Sequence, residues 1–178
     1  MSDPRVIGLA GWSGAGKTTL LTRLIPVLVG RGVRVATLKH AHHAFDIDQP
    51  GKDSFLHRQA GASEVIVSSA RRWAQIREVE EGVEARLPEL LRQLQPTGLA
   101  LIEGFKREAH PKIEVFRHAN GRPPLHTDDP RIVGIASDVA FPQAGRPVVD
   151  LDAIEAVADL VLAHALPLAA VLARLEGA

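Results

Sequence analysis

The sequence contains no cysteine. Disulfides, thiolate metal centres and cysteine nucleophiles are therefore excluded. It contains no tyrosine, and aromatic residues make up 4% of the chain, which leaves little with which to stack bases as RNA-binding modules do. Neither sign of charge is in excess, since 21 Lys and Arg residues balance 21 Asp and Glu. A general nucleic-acid binder or a membrane-surface protein would carry a basic surplus, so neither is expected. The same balance leaves little repulsion to oppose self-association. No apolar run approaches the roughly 20 residues of a membrane-spanning helix. The N-terminus leads directly into a strand-like segment, with no room for a signal peptide, so a cytoplasmic protein is expected. The 178 residues are 46% hydrophobic and 24% charged, values expected of one globular domain with its own core.

One octapeptide carries most of the chemistry: Gly11-Trp12-Ser13-Gly14-Ala15-Gly16-Lys17-Thr18. A glycine, four free positions and Gly-Lys-Thr form the P-loop pattern. Its context agrees. The short apolar run 5–10 precedes it and reads as a buried strand, and residues 19–25 follow with apolar side chains at helical spacing. Glycines allow backbone N–H groups to curl around phosphate oxygens, and the helix N-terminus adds partial positive charge. Ser13, Gly14, Ala15, Gly16, Lys17, Thr18 and Thr19 are the expected nucleotide contacts. Lys17 reaches the β- and γ-phosphates, and the Thr18 hydroxyl ligates Mg²⁺.

The rest of the chain alternates strand-like and helix-like segments. The first helix runs to about Gly30 or Gly32, with a kink or break at Pro26. Residues 33–38, 64–68, 99–102, 112–116 and 131–136 read as strands, and 73–79 as an edge strand in a hairpin. Residues 53–61, 83–94 and 151–164 read as helices, followed by a tail helix. The pattern predicts an α/β fold, a three-layer P-loop NTPase architecture with a mostly parallel central sheet, and a single P-loop nucleotide-binding domain over residues 1–178.

Three further segments are candidates. Leu99-Ala100-Leu101-Ile102-Glu103 is an apolar strand ending in an acid, which could touch Mg²⁺ directly or through water, or could simply be a solvated strand end. The loop 39–54 holds His40, His42, His43, Asp46, Asp48, Lys52 and Asp53. It could supply a water- or metal-positioning acid (Asp53 or Asp48), a phosphate contact (Lys39 or Lys52), or a histidine metal site. The three histidines could not all point one way from an extended segment. Asp138 ends the 131–136 strand. An aspartate there can accept hydrogen bonds from the guanine N1 and N2 edge, although the lysine usual beside it is missing; a turn or helix cap is the other reading.

Lys39-His40, Phe45-Asp46-Ile47-Asp48-Gln49-Pro50-Gly51-Lys52-Asp53-Ser54, His57-Arg58, Ala60-Gly61-Ala62, Ile102-Glu103-Gly104-Phe105-Lys106 and Pro111-Lys112-Ile113-Glu114-Val115 together resemble the molybdopterin-guanine dinucleotide biosynthesis protein B (MobB) family. The likeness covers roughly residues 5 to 140. It implies a dimeric GTP-binding protein with weak GTPase activity. Such a protein assists the molybdenum cofactor guanylyltransferase, which joins GMP to molybdopterin. It also implies nucleotide binding at residues 14–19 and site roles for Asp53 and Glu103. The expected ligands are GTP and Mg²⁺, with molybdopterin as a further candidate. Hydrolysis would be water attack on the γ-phosphate, with Lys17 and Mg²⁺ stabilising charge and an acid of the 46–53 loop, Asp53 among them, positioning water. The alternatives are a small-molecule kinase, with Arg71-Arg72 as a candidate lid, and a metal-insertion GTPase chaperone using the histidine loop.

Overall fold

The computed structural model of the chain describes residues 4–41, 45–80, 83–94 and 98–177. In chain order the elements are β1 (Arg5–Ala10), α1 (Lys17–Gly30), β2 (Val35–Lys39), α2 (Asp53–Gln59), β3 (Glu64–Ser68), β4 (Trp73–Arg77), α3 (Leu87–Gln93), β5 (Leu99–Glu103), β6 (Lys112–Phe116), β7 (Ile132–Ser137), β8 (Val148–Asp150), α4 (Ile154–His164), β9 (Leu166–Pro167) and α5 (Leu168–Glu176). Where the sequence suggests one domain over residues 1–178, the chain divides into two compact units. One joins Met1–His40 to Leu87–Ala178; the other is Ala41–Arg86.

The first unit is a seven-stranded sheet in the order β2-β5-β1-β6-β7-β8, with β9 added to β1. The pairs along that path are parallel, and only β9 runs antiparallel. Period-2 alternation divides the central strands between two cores. Ile7 and Leu9 of β1, with Leu99 and Leu101 of β5, pack with Leu24 and Leu28 of α1 and Val157 and Val161 of α4. Val6, Ala100 and Ile102 point the other way, onto Leu87 and Leu91 of α3 and Val171 and Leu175 of α5. These are the expected three layers. The sequence-read elements are present with shifted ends; β8 and β9 are additions, and both are too short to show a period.

Helix α1 runs unbroken from Lys17 to Gly30 through Pro26. Leu20, Leu21, Leu24 and Leu28 are buried along one face, while Pro26 and Thr22 are exposed. Thr22 carries the carbonyl that proline leaves without a helical donor, and solvent can satisfy it, so the expected break does not occur. Truncating a leucine such as Leu24, which is 0% exposed, would cost about 2–5 kcal/mol.

Gly8 of β1 leaves a hole that His110 fills: a Cβ at Gly8 would lie 2.4 Å from His110 Nε2. His110 is fully buried, and neither ring nitrogen has a hydrogen-bond partner among the described residues. Burial, helped by the nearby Lys112 and Arg131 charges and opposed by Asp129, pulls its pKa down to about 3. Strand β6 is buried throughout and includes Lys112 and Glu114. Lys112 Nζ donates to the Glu108 carbonyl at 2.7 Å and pairs with Asp129 at 3.3 Å. Glu114 accepts from the backbone N–H groups of Leu125 and His126 at 2.6 and 3.0 Å and contacts His126 Nδ1 at 2.7 Å. Buried charges of this kind are tolerated because they are paired. Here they anchor the β6–β7 connection.

The second unit holds α2 and the antiparallel β3–β4 hairpin. Its centre is polar. Arg58 on α2 meets Asp46 at 2.8 Å, Asp48 at 2.8 Å and Glu78 at 2.6 Å. These three carboxylates hold the guanidinium firmly protonated. The Asp46 carboxyl is held below its ordinary range by the Asp48 backbone N–H first, and by Arg58 second. Ile66 and Trp73, on one face of the hairpin, are 62% and 59% exposed. Arg71 and Arg72 lie in the hairpin turn, where both backbone N–H groups donate to Ser69 Oγ at 3.3 and 3.2 Å.

Candidate nucleotide-binding site

The octapeptide lies between β1 and α1, at the C-terminal edge of the parallel sheet. Open α/β sheets bind ligands at that edge. Gly14 and Gly16 adopt left-handed backbone at φ 81° and 89°, and Gly16 is the N-cap of α1. A side chain on Gly11 would meet the Val115 carbonyl at 2.6 Å, and one on Gly14 would meet Asn120 Oδ1 at 3.0 Å. Gly11 is thus required by close approach, Gly16 by φ, and Gly14 by both.

Lys17 Nζ donates to the carbonyls of Gly11 at 2.9 Å and Trp12 at 3.0 Å, folding its charge back over the loop. Burial lowers its pKa first; the Lys106 charge adds to this, Glu103 opposes it, and Lys39 contributes in the same direction as Lys106. Thr18 Oγ1 donates to Glu103 Oε1 across 3.3 Å. The two expected Mg²⁺ contacts are therefore neighbours, brought together because β5 pairs directly with β1. A hydroxyl and a carboxylate side by side are hard oxygen donors, the chemistry that suits Mg²⁺. Thr19 is exposed on the first turn of α1, and Ala15 is buried beneath the loop.

Asp138 follows β7, and its Oδ1 accepts the backbone N–H of His118 at 2.7 Å. It borders an open groove of about 450 Å³ at the ends of β7 and β8, whose walls include Val139, Phe141, Pro142, Val148 and Asp150. The capping reading of Asp138 is met at His118. One oxygen ties down a turn, and the residue also lines a groove of ligand size.

Sequence reasoning missed the residues that brace the loop from the β6–β7 connection. Asn120 Nδ2 donates to the Ser13 carbonyl at 3.1 Å, and Trp12 Nε1 donates to the Pro123 carbonyl at 2.8 Å. The Arg117 guanidinium lies 3.7 Å from the position of a Cβ on Gly16. Lys106 and Arg122 stand 5.5 and 5.6 Å from the centre of the Trp12 ring. Lys106 comes from the turn after β5, inside the motif that follows Ile102; no local pattern marks Arg117, Asn120, Arg122 and Pro123, because they reach the loop only through the pairing of β6 with β1.

The loop acids lie in the second unit. Asp48 accepts from Ser54 Oγ at 3.0 Å as well as from Arg58, so it is committed to structure. Asp53 opens α2 and is exposed. His40 stacks on Phe105 with ring centres 4.7 Å apart. His42 and His43 lie outside the described residues, among which no group of three His, Asp or Glu is placed to hold a metal. Among the described residues no helix is long and apolar enough to cross a membrane.

Comparison with known proteins agrees with this arrangement. Residues 6–138 match the family described as molybdopterin guanine dinucleotide synthesis protein B. The chain is 41% identical over 160 residues to the molybdopterin-guanine dinucleotide biosynthesis adapter protein of Escherichia coli K12, covering 88% of this chain and 91% of the relative. It is 38% identical over 158 residues to the protein of the same description from Haemophilus influenzae, covering 88% and 86%. A crystal structure of molybdopterin-guanine biosynthesis protein B superposes with a TM-score of 0.71 at 28% identity, covering 89% of this chain and 97% of the other. With the P-loop, the Thr18–Glu103 pair and this likeness along most of its length, the chain belongs to the MobB family.

Proposed function

We propose that the chain is a GTP-binding accessory protein, with weak GTPase activity, in the step that converts molybdopterin to its guanine dinucleotide. It uses Mg²⁺, works in the cytoplasm as a homodimer, and supplies or gates GTP for the guanylyltransferase. The P-loop supports this reading most directly: left-handed Gly14 and Gly16, Lys17 folded onto the loop carbonyls, and Thr18 beside Glu103. The groove beside Asp138 favours a purine base at the same sheet edge. Water positioning is left to an acid of the 46–53 loop, with Asp53 the candidate from sequence; Asp46 and Asp48 are held by Arg58. Exposed Ile66 and Trp73 on a two-stranded sheet favour self-association.

The accessory role follows from phosphate chemistry. A P-loop with Lys17 and Mg²⁺ activates the γ position, whereas joining GMP to a pterin phosphate attacks the α-phosphate and expels pyrophosphate. Arg71 and Arg72, the candidate lid of the kinase reading, lie in the turn of the β3–β4 hairpin. In a reconstituted assay with GTP, Mg²⁺ and molybdopterin, the chain alone should give no dinucleotide. With the transferase added it should stimulate synthesis, and Lys17→Ala should remove most of that stimulation. Calorimetry on the same variant should show GTP affinity reduced by about a hundredfold, as expected for losing charge-assisted hydrogen bonds to phosphate. Unchanged GTP binding by Lys17→Ala would refute the P-loop assignment. Dinucleotide formed by the chain alone would make it the transferase.

A further inference from the structure

The turn after Glu103 is built at an energetic cost. Gly104 and Phe105 are consecutive left-handed residues, at φ 98° and 49°, and Phe105 is the non-glycine residue with positive φ among the described residues. A bulky side chain in that conformation is strained and persists only where its surroundings impose it. They do so here. A Cβ on Gly104 would lie 2.6 Å from His40 Cβ, the His40 N–H donates to the Glu103 carbonyl at 2.9 Å, and the Phe105 ring packs on the His40 ring and on the buried cluster below.

The consequence of the turn is the position of Lys106. The chain reverses within two residues of Glu103 and delivers Lys106 back over the P-loop, with Nζ 5.5 Å from the Trp12 ring centre. Lys106 is exposed, and its recorded contact is this aromatic face, with no hydrogen bond or carboxylate pair among the described residues. Its charge adds to the burial that lowers the Lys17 pKa, opposed by Glu103 and joined by Lys39. Lys106 and Lys17 thus both meet Trp12, at its ring and at its carbonyl, with Lys39 of β2 adding like charge and Glu103 opposing it. Such an excess of like charge is unfavourable unless a polyanion occupies the centre.

We infer that Lys106 is a second phosphate-binding lysine, which leaves the face of Trp12 to pair with the terminal phosphate of a bound nucleoside triphosphate. The inference rests on the nucleotide-binding reading and deepens it. Its location selects the γ-phosphate: Lys106 comes from the Glu103 side of the loop, where Thr18 and Glu103 stand as the residues that would hold Mg²⁺ beside the terminal phosphates. A diphosphate leaves Lys106 on Trp12. The strained turn keeps the ammonium within reach, so little ordering is needed when the triphosphate binds.

Calorimetry with Mg²⁺, GDP and a non-hydrolysable GTP analogue tests this on the full chain. Lys106→Ala should lower affinity for the triphosphate roughly tenfold, the effect of one charged hydrogen-bond partner, while GDP affinity changes less than about twofold. Lys106→Arg should retain most of the triphosphate affinity, because the charge and donors remain. A general disturbance of the loop would weaken both nucleotides together, and that result overturns the inference. An unchanged ratio of triphosphate to diphosphate affinity in Lys106→Ala also overturns it. If the wild-type chain binds neither nucleotide, the underlying nucleotide-binding reading itself fails; wild-type binding with an unaffected Lys106→Ala ratio removes Lys106 alone.

Discussion

Thr18 Oγ1 and Glu103 Oε1 lie 3.3 Å apart, although 85 residues separate them in the chain. The pairing of Leu9 with Glu103 in the sheet register carries the strand-end acid to the mouth of the P-loop. If the pair holds Mg²⁺, Glu103→Gln should weaken GTP binding about tenfold in Mg²⁺ and little in EDTA, because the amide keeps the shape but loses the charge. Paired calorimetric titrations measure both. An equal loss in the two buffers would make Glu103 a structural residue only.

Asp138 should set a preference for guanine. Its carboxylate borders the groove at the ends of β7 and β8, with one oxygen already engaged by His118. A site that hydrogen-bonds a specific base edge rejects the wrong base strongly, because the mismatch leaves polar groups unpaired. Asp138→Asn should lower the ratio of GTP to ATP affinity at least tenfold. Equal affinities in the wild type would refute the preference, and an unchanged ratio in the variant would remove Asp138 from it.

His110 should make the fold sensitive to mild acid. Burial holds its folded pKa at about 3, below the ordinary value of 6.5. The unfolded chain therefore takes up a proton first, and stability falls as pH drops from about 6.5 towards 3. The slope approaches about 1.4 kcal/mol per pH unit. Between pH 8 and pH 5 the wild type should lose about 2 kcal/mol more than His110→Leu, as measured by urea unfolding. Parallel pH profiles for the two proteins would rule out this titration as the source.

The same contact predicts a coupled pair. Gly8→Ala would place a methyl group 2.4 Å from His110 Nε2, an overpacking that typically costs about 1–3 kcal/mol. In the double variant Gly8→Ala/His110→Ala, part of that cost should be recovered, because the new methyl group occupies space the imidazole vacates. A double-mutant cycle from denaturant unfolding measures the coupling. Simple additivity would mean that the two sites do not share the space.

The β3–β4 hairpin should be the self-association surface. Ile66→Lys, which adds a charge to an exposed position on the Trp73 face, should shift a dimer towards monomer in light scattering at tens of micromolar. The substitution touches no buried group, so unfolding midpoints extrapolated to low concentration should change little. A wild type that is already monomeric with and without GTP counts against the dimer.

The local features of this protein were legible in its sequence. The P-loop spacing, the apolar run ending in Glu103 and the Leu20–Leu24–Leu28 stripe each lie within one element, where backbone period and glycine φ fix the geometry. The family likeness needed only the short motifs around Asp53 and Glu103. Tertiary structure decided what crosses elements. The order β2-β5-β1-β6-β7-β8 places Glu103 on one side of the P-loop and Arg117, Asn120 and Pro123 on the other. Pro26 did not break α1, because its missing hydrogen bond falls on the solvent side. Asp48 reads as a free site acid in sequence, but ten residues on, Arg58 and its helix claim it. Lys106 stands in a family motif in sequence, but only two left-handed residues and the His40 ring bring it to the face of Trp12. Sequence fixes what neighbours along the chain must do. Charges and contacts between distant segments become definite only when strand pairing brings them together.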